Sequence, residues 1–143
     1  MKSKFLSRED FSLINRSLLN LKNHIELKDY KGFDPYDCLK SPLFKLPIFN
    51  SNKHIRFFSQ QFLKRFPINL RRLFLIKEGL NPVTLGLALQ AYSYLSKIDN
   101  NNESLYLSKI DKLIQNLEDL IPTGFSGACW GYDFDWEARY MKI

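Results

Sequence analysis

Cysteine is scarce: Cys38 and Cys129 are the only two among 143 residues, far apart and without a CxxC partner. That excludes a zinc ribbon and argues against a disulfide scaffold. Glycine and proline number six each and fall singly, so neither a collagen repeat nor a low-complexity linker fits. Every window of about 20 residues contains charge, which excludes a membrane-spanning helix. The opening residues reach Arg8, Glu9 and Asp10 before any apolar stretch forms; the expectation is a chain without a secretory leader, cytoplasmic in location. His24 and His54 are the only histidines and neither has a partner at ligand spacing, so no metal and no cofactor are expected. P-loop, GxGxxG and GxSxG patterns are missing too, which leaves nucleotide chemistry without a motif.

What is present is bulk. The composition is 45% apolar and 25% charged, with twelve phenylalanines, seven tyrosines and two tryptophans. That suits one globular domain, or a piece cut from a larger one, and excludes a disordered chain. The net charge of +6 is unevenly spread. Residues 1–80 hold 16 Lys or Arg against 7 Asp or Glu, whereas residues 81–143 hold 5 against 8. A basic first part is open to two readings, an ordinary solvated surface or attraction to phosphate, nucleic acid or an anionic membrane.

The apolar pattern along the chain is helical. Ser7 can cap a first helix with Asp10 three residues on, and Phe11, Ile14, Leu18, Leu21 and Ile25 make one face of it to about Lys28, predicting one buried side. Residues 29–53 combine Gly32, Pro35, Pro42 and Pro47 with many aromatics, which predicts an ordered, packed loop with a helical turn near Tyr36 to Leu39. From Lys53 to Arg65 a stripe of Ile55, Phe58, Phe62 and Phe66 predicts a helix stopped by Pro67, and Leu70 to Ile76 a further short helical piece ended by Gly79. Asn81-Pro82 is a helix start. Val83 to Leu95 is apolar almost all round, and Leu107, Ile110, Leu113 or Ile114, Leu117 and Ile121 rebuild a one-faced helix after a polar turn. Residues 81–121 should thus form a hairpin of one enclosed and one half-exposed helix.

Several segments resemble a known family. Tyr30-Lys31-Gly32-Phe33-Asp34-Pro35-Tyr36-Asp37, Ser41-Pro42-Leu43, Arg65 to Arg71, Gly79-Leu80-Asn81-Pro82 and above all Cys129-Trp130-Gly131-Tyr132-Asp133-Phe134-Asp135-Trp136-Glu137-Ala138-Arg139 look like the N-terminal part of prokaryotic six-hairpin (α/α) toroid proteins found with surface-polysaccharide biosynthesis. The resemblance covers residues 30–139 and implies an architecture and a pathway more firmly than a reaction. A complete toroid has twelve helices, and this chain has material for about five. The fold expected is therefore all-α, antiparallel helical hairpins forming an incomplete (α/α)6 toroid. Residues 1–143 would be one helical unit, a truncated N-terminal portion, with 124–143 an aromatic-acidic loop and the start of the next helix.

The candidate site follows from that loop. Asp133, Asp135 and Glu137 alternate with Trp130, Tyr132, Phe134 and Trp136. Indole and phenol faces stack on pyranose C–H faces, while carboxylates accept hydroxyl hydrogen bonds or move protons. Asp133, Asp135 and Glu137 are the catalytic candidates; Trp130, Tyr132, Trp136 and Arg139, with the second cluster Asp34 and Tyr36, are the substrate-binding ones. The competing reading makes the carboxylates helix caps and the aromatics core anchors. The expected partner is a sugar or glycan intermediate, with missing C-terminal hairpins or a protein partner covering residues 124–143. Whether the protein is an enzyme stays open. The alternative is a non-enzymatic basic helical module docking through residues 53–72 on an anionic membrane, at the inner face of the bilayer, or, less favoured, on nucleic acid.

Overall fold

A computed structural model describes residues 7–132 and 134. The fold is all-α: among the described residues there are α-helices, 3-10 turns and one pair of two-residue strands. The chain divides into two compact units, Met1–Lys31 and Gly32–Ile143.

Among its described residues the first unit has one helix, α1 (Arg8–Leu27). Its start is the predicted capping box: the Asp10 N–H donates to the Ser7 hydroxyl at 3.1 Å and the Ser7 N–H to the Asp10 carboxylate at 3.0 Å, satisfying two otherwise orphaned donors. Its end is a left-handed pair, Asp29 and Tyr30, with φ of 50° and 60°, and the Tyr30 N–H donates back to the Ile25 carbonyl. The expectation of a buried side is not met. No residue of α1 is buried, because among the described residues of its own unit no second helix covers Phe11, Ile14, Leu18 and Leu21.

The second unit opens at Gly32, the last residue of β1 (Lys31–Gly32), whose pairing strand is β2 (Gly79–Leu80). The proline-rich stretch between 33 and 53 is ordered, as its composition predicts: a 3-10 turn at Asp37–Lys40, another at Pro42–Lys45 and a one-turn helix α2 (Pro47–Asn50). Pro42 and Pro47 each stand in a first turn, where the missing N–H leaves no bond unmade. Next comes α3 (Lys53–Arg65), capped by Asn52, whose side-chain oxygen accepts from the His54 and Ile55 N–H groups.

Two sequence expectations fail here. The stripe of α3 that turns inward is Gln60 and Leu63, while Phe58, Phe62 and Phe66 are exposed. Gln60 is drawn in because its side-chain amide donates to the Tyr36 carbonyl at 3.3 Å, and Leu63 joins Cys38 and Ile76 in a small core flanked by Phe33, Phe44, Leu70 and Phe74. Residues 70–76 form a turn rather than a helix. Leu75 takes a left-handed φ of 56°, the Ile76 N–H donates to the Arg71 carbonyl, and Ile76 is thereby delivered to the core.

Burial pushes the Cys38 thiol up to about 12, with the neighbouring Asp37 charge adding to the effect. The thiolate needed for alkylation is then nearly absent at neutral pH. Maleimide treatment of the native protein is expected to modify Cys129, which is only half-buried, and to reach Cys38 only after denaturation. Mass spectrometry of the labelled peptides checks this, and fast native labelling of Cys38 would contradict the core assignment.

The predicted hairpin of residues 81–121 is present as α4 (Pro82–Ile98) and α5 (Glu103–Asp119), joined by a 3-10 turn at Asn100–Asn102. They pack along each other through Leu85, Ala88 and Tyr92 on α4 and Tyr106 and Leu113 on α5, all buried. The Tyr92 and Tyr106 rings stack with centroids 6.1 Å apart. The Tyr106 hydroxyl donates to Asp99 at 3.0 Å and the Asn102 side chain to the same carboxylate oxygen at 2.9 Å, which fastens the connecting turn. α4 is not enclosed: Val83, Leu87, Tyr94 and Ile98 remain exposed on its other sides.

Candidate functional site

Asn81 is where two parts of the second unit meet. Its side-chain oxygen accepts from the Val83 N–H at 2.9 Å, capping α4, and its amide donates to the Asp34 carboxylate at 3.1 Å. Asp34 also accepts from the Tyr36 N–H at 2.9 Å, the Asx-turn geometry its Asp-Pro sequence suggests. Asp37 then accepts the Asp34 N–H at 3.1 Å and both carboxylate oxygens take the Arg71 Nε–H, at 2.9 and 3.2 Å. A further Arg71 nitrogen donates to the Asp34 carbonyl at 3.0 Å, and the guanidinium lies over the Phe33 ring. Arg71, Asp37, Asp34 and Asn81 thus form one continuous polar chain that ends at the first turn of α4.

The electrostatics of this chain are dominated by burial. The Asp37 carboxyl is raised above its ordinary value because it is desolvated, and the Arg71 and Asp34 hydrogen bonds oppose that rise without cancelling it. Every buried side-chain polar atom among the described residues has a partner, so this cluster is a satisfied brace. Arg71, one of the cations of the basic docking alternative, is committed to it.

Beside the brace, the start of α4 walls a groove of about 400 Å³ lined by Asn81, Pro82, Val83, Gly86, Leu117, Trp130, Gly131 and Tyr132. The Trp130 indole N–H donates to the Leu117 carbonyl on α5 at 2.7 Å. That carbonyl lies in the last turn of α5, where it also accepts from the Leu120 N–H at 3.2 Å. The Trp130–Leu117 bond fixes the indole while leaving Trp130 47% exposed, and Tyr132 beside it is 53% exposed. Tyr132 stacks on Phe134 with centroids 5.1 Å apart.

Of the substrate-binding candidates, the structure brings Trp130 and Tyr132 into one groove and places Asp34 one hydrogen bond from it, through Asn81. Tyr36 goes elsewhere: its hydroxyl accepts from Lys64, whose ammonium also sits 4.0 Å from the ring centroid. Asp133, Asp135, Trp136, Glu137 and Arg139 lie outside the described residues. Neither protein-family models nor curated proteins nor solved structures give a match to this chain.

The groove contains residues that pattern reading assigned only to the fold. Asn81 reads as a cap and Leu117 as core. The Asn-Pro pair reveals the cap, but a carboxylate 47 positions away leaves no local signal. No group of metal-binding side chains occurs among the described residues.

Proposed function

We propose that this chain is a carbohydrate-binding unit of cell-surface polysaccharide assembly, part of an (α/α) toroid, with the groove at the start of α4 as its sugar-facing wall. The observation that carries the proposal is the pair Trp130 and Tyr132: two half-exposed aromatic side chains beside a groove, one of them locked by a hydrogen bond to α5. Aromatic faces held in place bind sugar C–H surfaces with little ordering entropy, and the Asn81–Asp34 pair next to them offers polar groups for hydroxyls. The carboxylates assigned to acid–base chemistry, Asp133, Asp135 and Glu137, follow Tyr132 closely in the chain. The toroid reading is supported by the α4–α5 hairpin and by the apolar residues that α4 leaves uncovered, which further hairpins or a protein partner would bury.

The test is titration with a panel of neutral and acidic oligosaccharides, followed by tryptophan fluorescence and NMR shifts. A ligand of the groove should lose affinity by severalfold to about tenfold in Tyr132→Ala, the range of one aromatic contact, with little change in melting temperature. Gly86→Leu supplies a blocking variant. A Cβ at Gly86 meets no atom within 4 Å, and replacing a helix-interior glycine favours folding, so lost binding there reports occlusion of the groove. Equal affinity in both variants would sink the groove as the sugar site.

A further inference from the structure

The carboxylates of the second unit avoid one stretch entirely. Between Cys38 and Lys77 there is no aspartate or glutamate, while nine lysines and arginines occur there; Asp37 and Glu78 bound the stretch, and Asp37 pairs with Arg71. The same stretch carries the outward face of α3. Phe58 and Phe62 are 65% and 51% exposed. They line two adjoining hollows: one of about 290 Å³ with Leu43, Phe44, Phe49 and Phe74, the other of about 470 Å³ with Phe66, Pro67 and Arg65. Sharing both phenylalanines makes the hollows one continuous apolar face, edged by Arg65. Near it in the chain, Leu46, Ile48 and Ile68 are exposed as well.

An apolar face edged by Arg65, with no carboxylate among its lining residues and on a stretch of chain rich in lysine and arginine, fits a partner that offers hydrocarbon and negative charge together. We propose that the Phe58–Phe62–Phe66 face of α3 docks on an anionic lipid bilayer, lying in the interface with its phenyl rings below the phosphates and its lysines and arginines among the headgroups. No described helix is long and apolar enough to cross a membrane, so the contact is peripheral. A nucleic acid would satisfy the cations, but the exposed aliphatic side chains Leu43, Leu46, Ile48 and Ile68 have no face on which a base can stack and gain only by leaving water. A second copy of the chain would bring like charge against like charge. This docking face is independent of the sugar groove.

Co-sedimentation of the full chain with vesicles tests it. The chain should bind vesicles of phosphatidylcholine and phosphatidylglycerol in equal parts and not phosphatidylcholine alone, with binding that weakens as salt rises. Arg65→Gln should lower partitioning about fivefold, the effect of one cation at an anionic surface, and Phe62→Ser about tenfold, the effect of half-burying a phenyl group. Circular dichroism should show both variants folded as the wild type, since both side chains are exposed. Phe62→Trp should shift its emission to the blue on adding the anionic vesicles. Absence of binding at low ionic strength overturns the proposal, as does an emission that stays unshifted. Partitioning unaffected by Phe62→Ser, together with tight salt-sensitive binding to a single-stranded oligonucleotide, overturns it in favour of nucleic acid.

Discussion

Asp37→Ala is expected to destabilise the second unit by about 3–5 kcal/mol, because removing one partner of a buried ion pair leaves the other charge uncompensated. The Asp37 side chain is 2% exposed and that of Arg71 13%. Without Asp37 the guanidinium keeps only the Asp34 carbonyl and the Phe33 face, and the Asp34 N–H loses its acceptor. The damage should spread along the polar chain to Asn81 and the cap of α4. Asp37→Asn keeps the volume and one acceptor and should be less damaging; the pair Asp37→Leu with Arg71→Met should recover much of the loss, since a buried pair is often replaceable by apolar residues. Urea unfolding followed by circular dichroism measures all three.

The sign of the pH dependence follows from the raised Asp37 carboxyl. A folded state that holds this proton more tightly than the unfolded chain gains from it fully below the ordinary value of 3.8, and loses that gain as pH rises through the folded value. The stability gap between wild type and Asp37→Asn should therefore narrow as pH rises through that window. A gap that widens would mean that Arg71 outweighs burial at this site.

How far the sequence discloses this structure depends on the range of the interactions involved. The starts of α1 and α4 are legible because Ser7 and Asn81 each bond to an N–H two or three residues on, a distance that local chemistry encodes; the start of α3 is legible from its apolar period, and its Asn52 cap is seen in the structure. The α4–α5 hairpin is legible for a similar reason: apolar period and a polar turn suffice. The face of α3 is not. Periodicity marks Phe58, Phe62 and Phe66 as the apolar stripe, but the turn at 36–40 packs on the side of Gln60 and Leu63, where a glutamine can reach the Tyr36 carbonyl. The Leu70–Ile76 stretch fails likewise, since the left-handed turn at Leu75 has neither glycine nor asparagine to announce it. At the candidate site, Trp130 and Tyr132 are singled out by a local run in which aromatics alternate with carboxylates. Their neighbours Asn81 and Leu117 come from distant positions and are visible only once the hairpin is built.

Leu113→Ala and Leu85→Ala are each expected to destabilise the hairpin by about 2–5 kcal/mol, the range for a leucine removed from a packed core. Both side chains are 0% exposed, whereas Leu87, two residues from Leu85, is 62% exposed, and Leu87→Ala should cost less than about 1 kcal/mol. The contrast matters because α4 is apolar on nearly every side, so its sequence does not say which leucines are supported. If α4 packs only on α5, thermal melts will separate Leu85 from Leu87 sharply, and the melting temperature will not depend on protein concentration. Equal losses at the two positions, with a melting temperature that rises with concentration, would show that the second face of α4 is also covered in solution by another copy. In a longer toroid the prediction for Leu87 reverses. There the same substitution would open a cavity against the next hairpin and match the loss at Leu85, so Leu87 measured in a longer chain reports directly whether this face belongs to a toroid's interior.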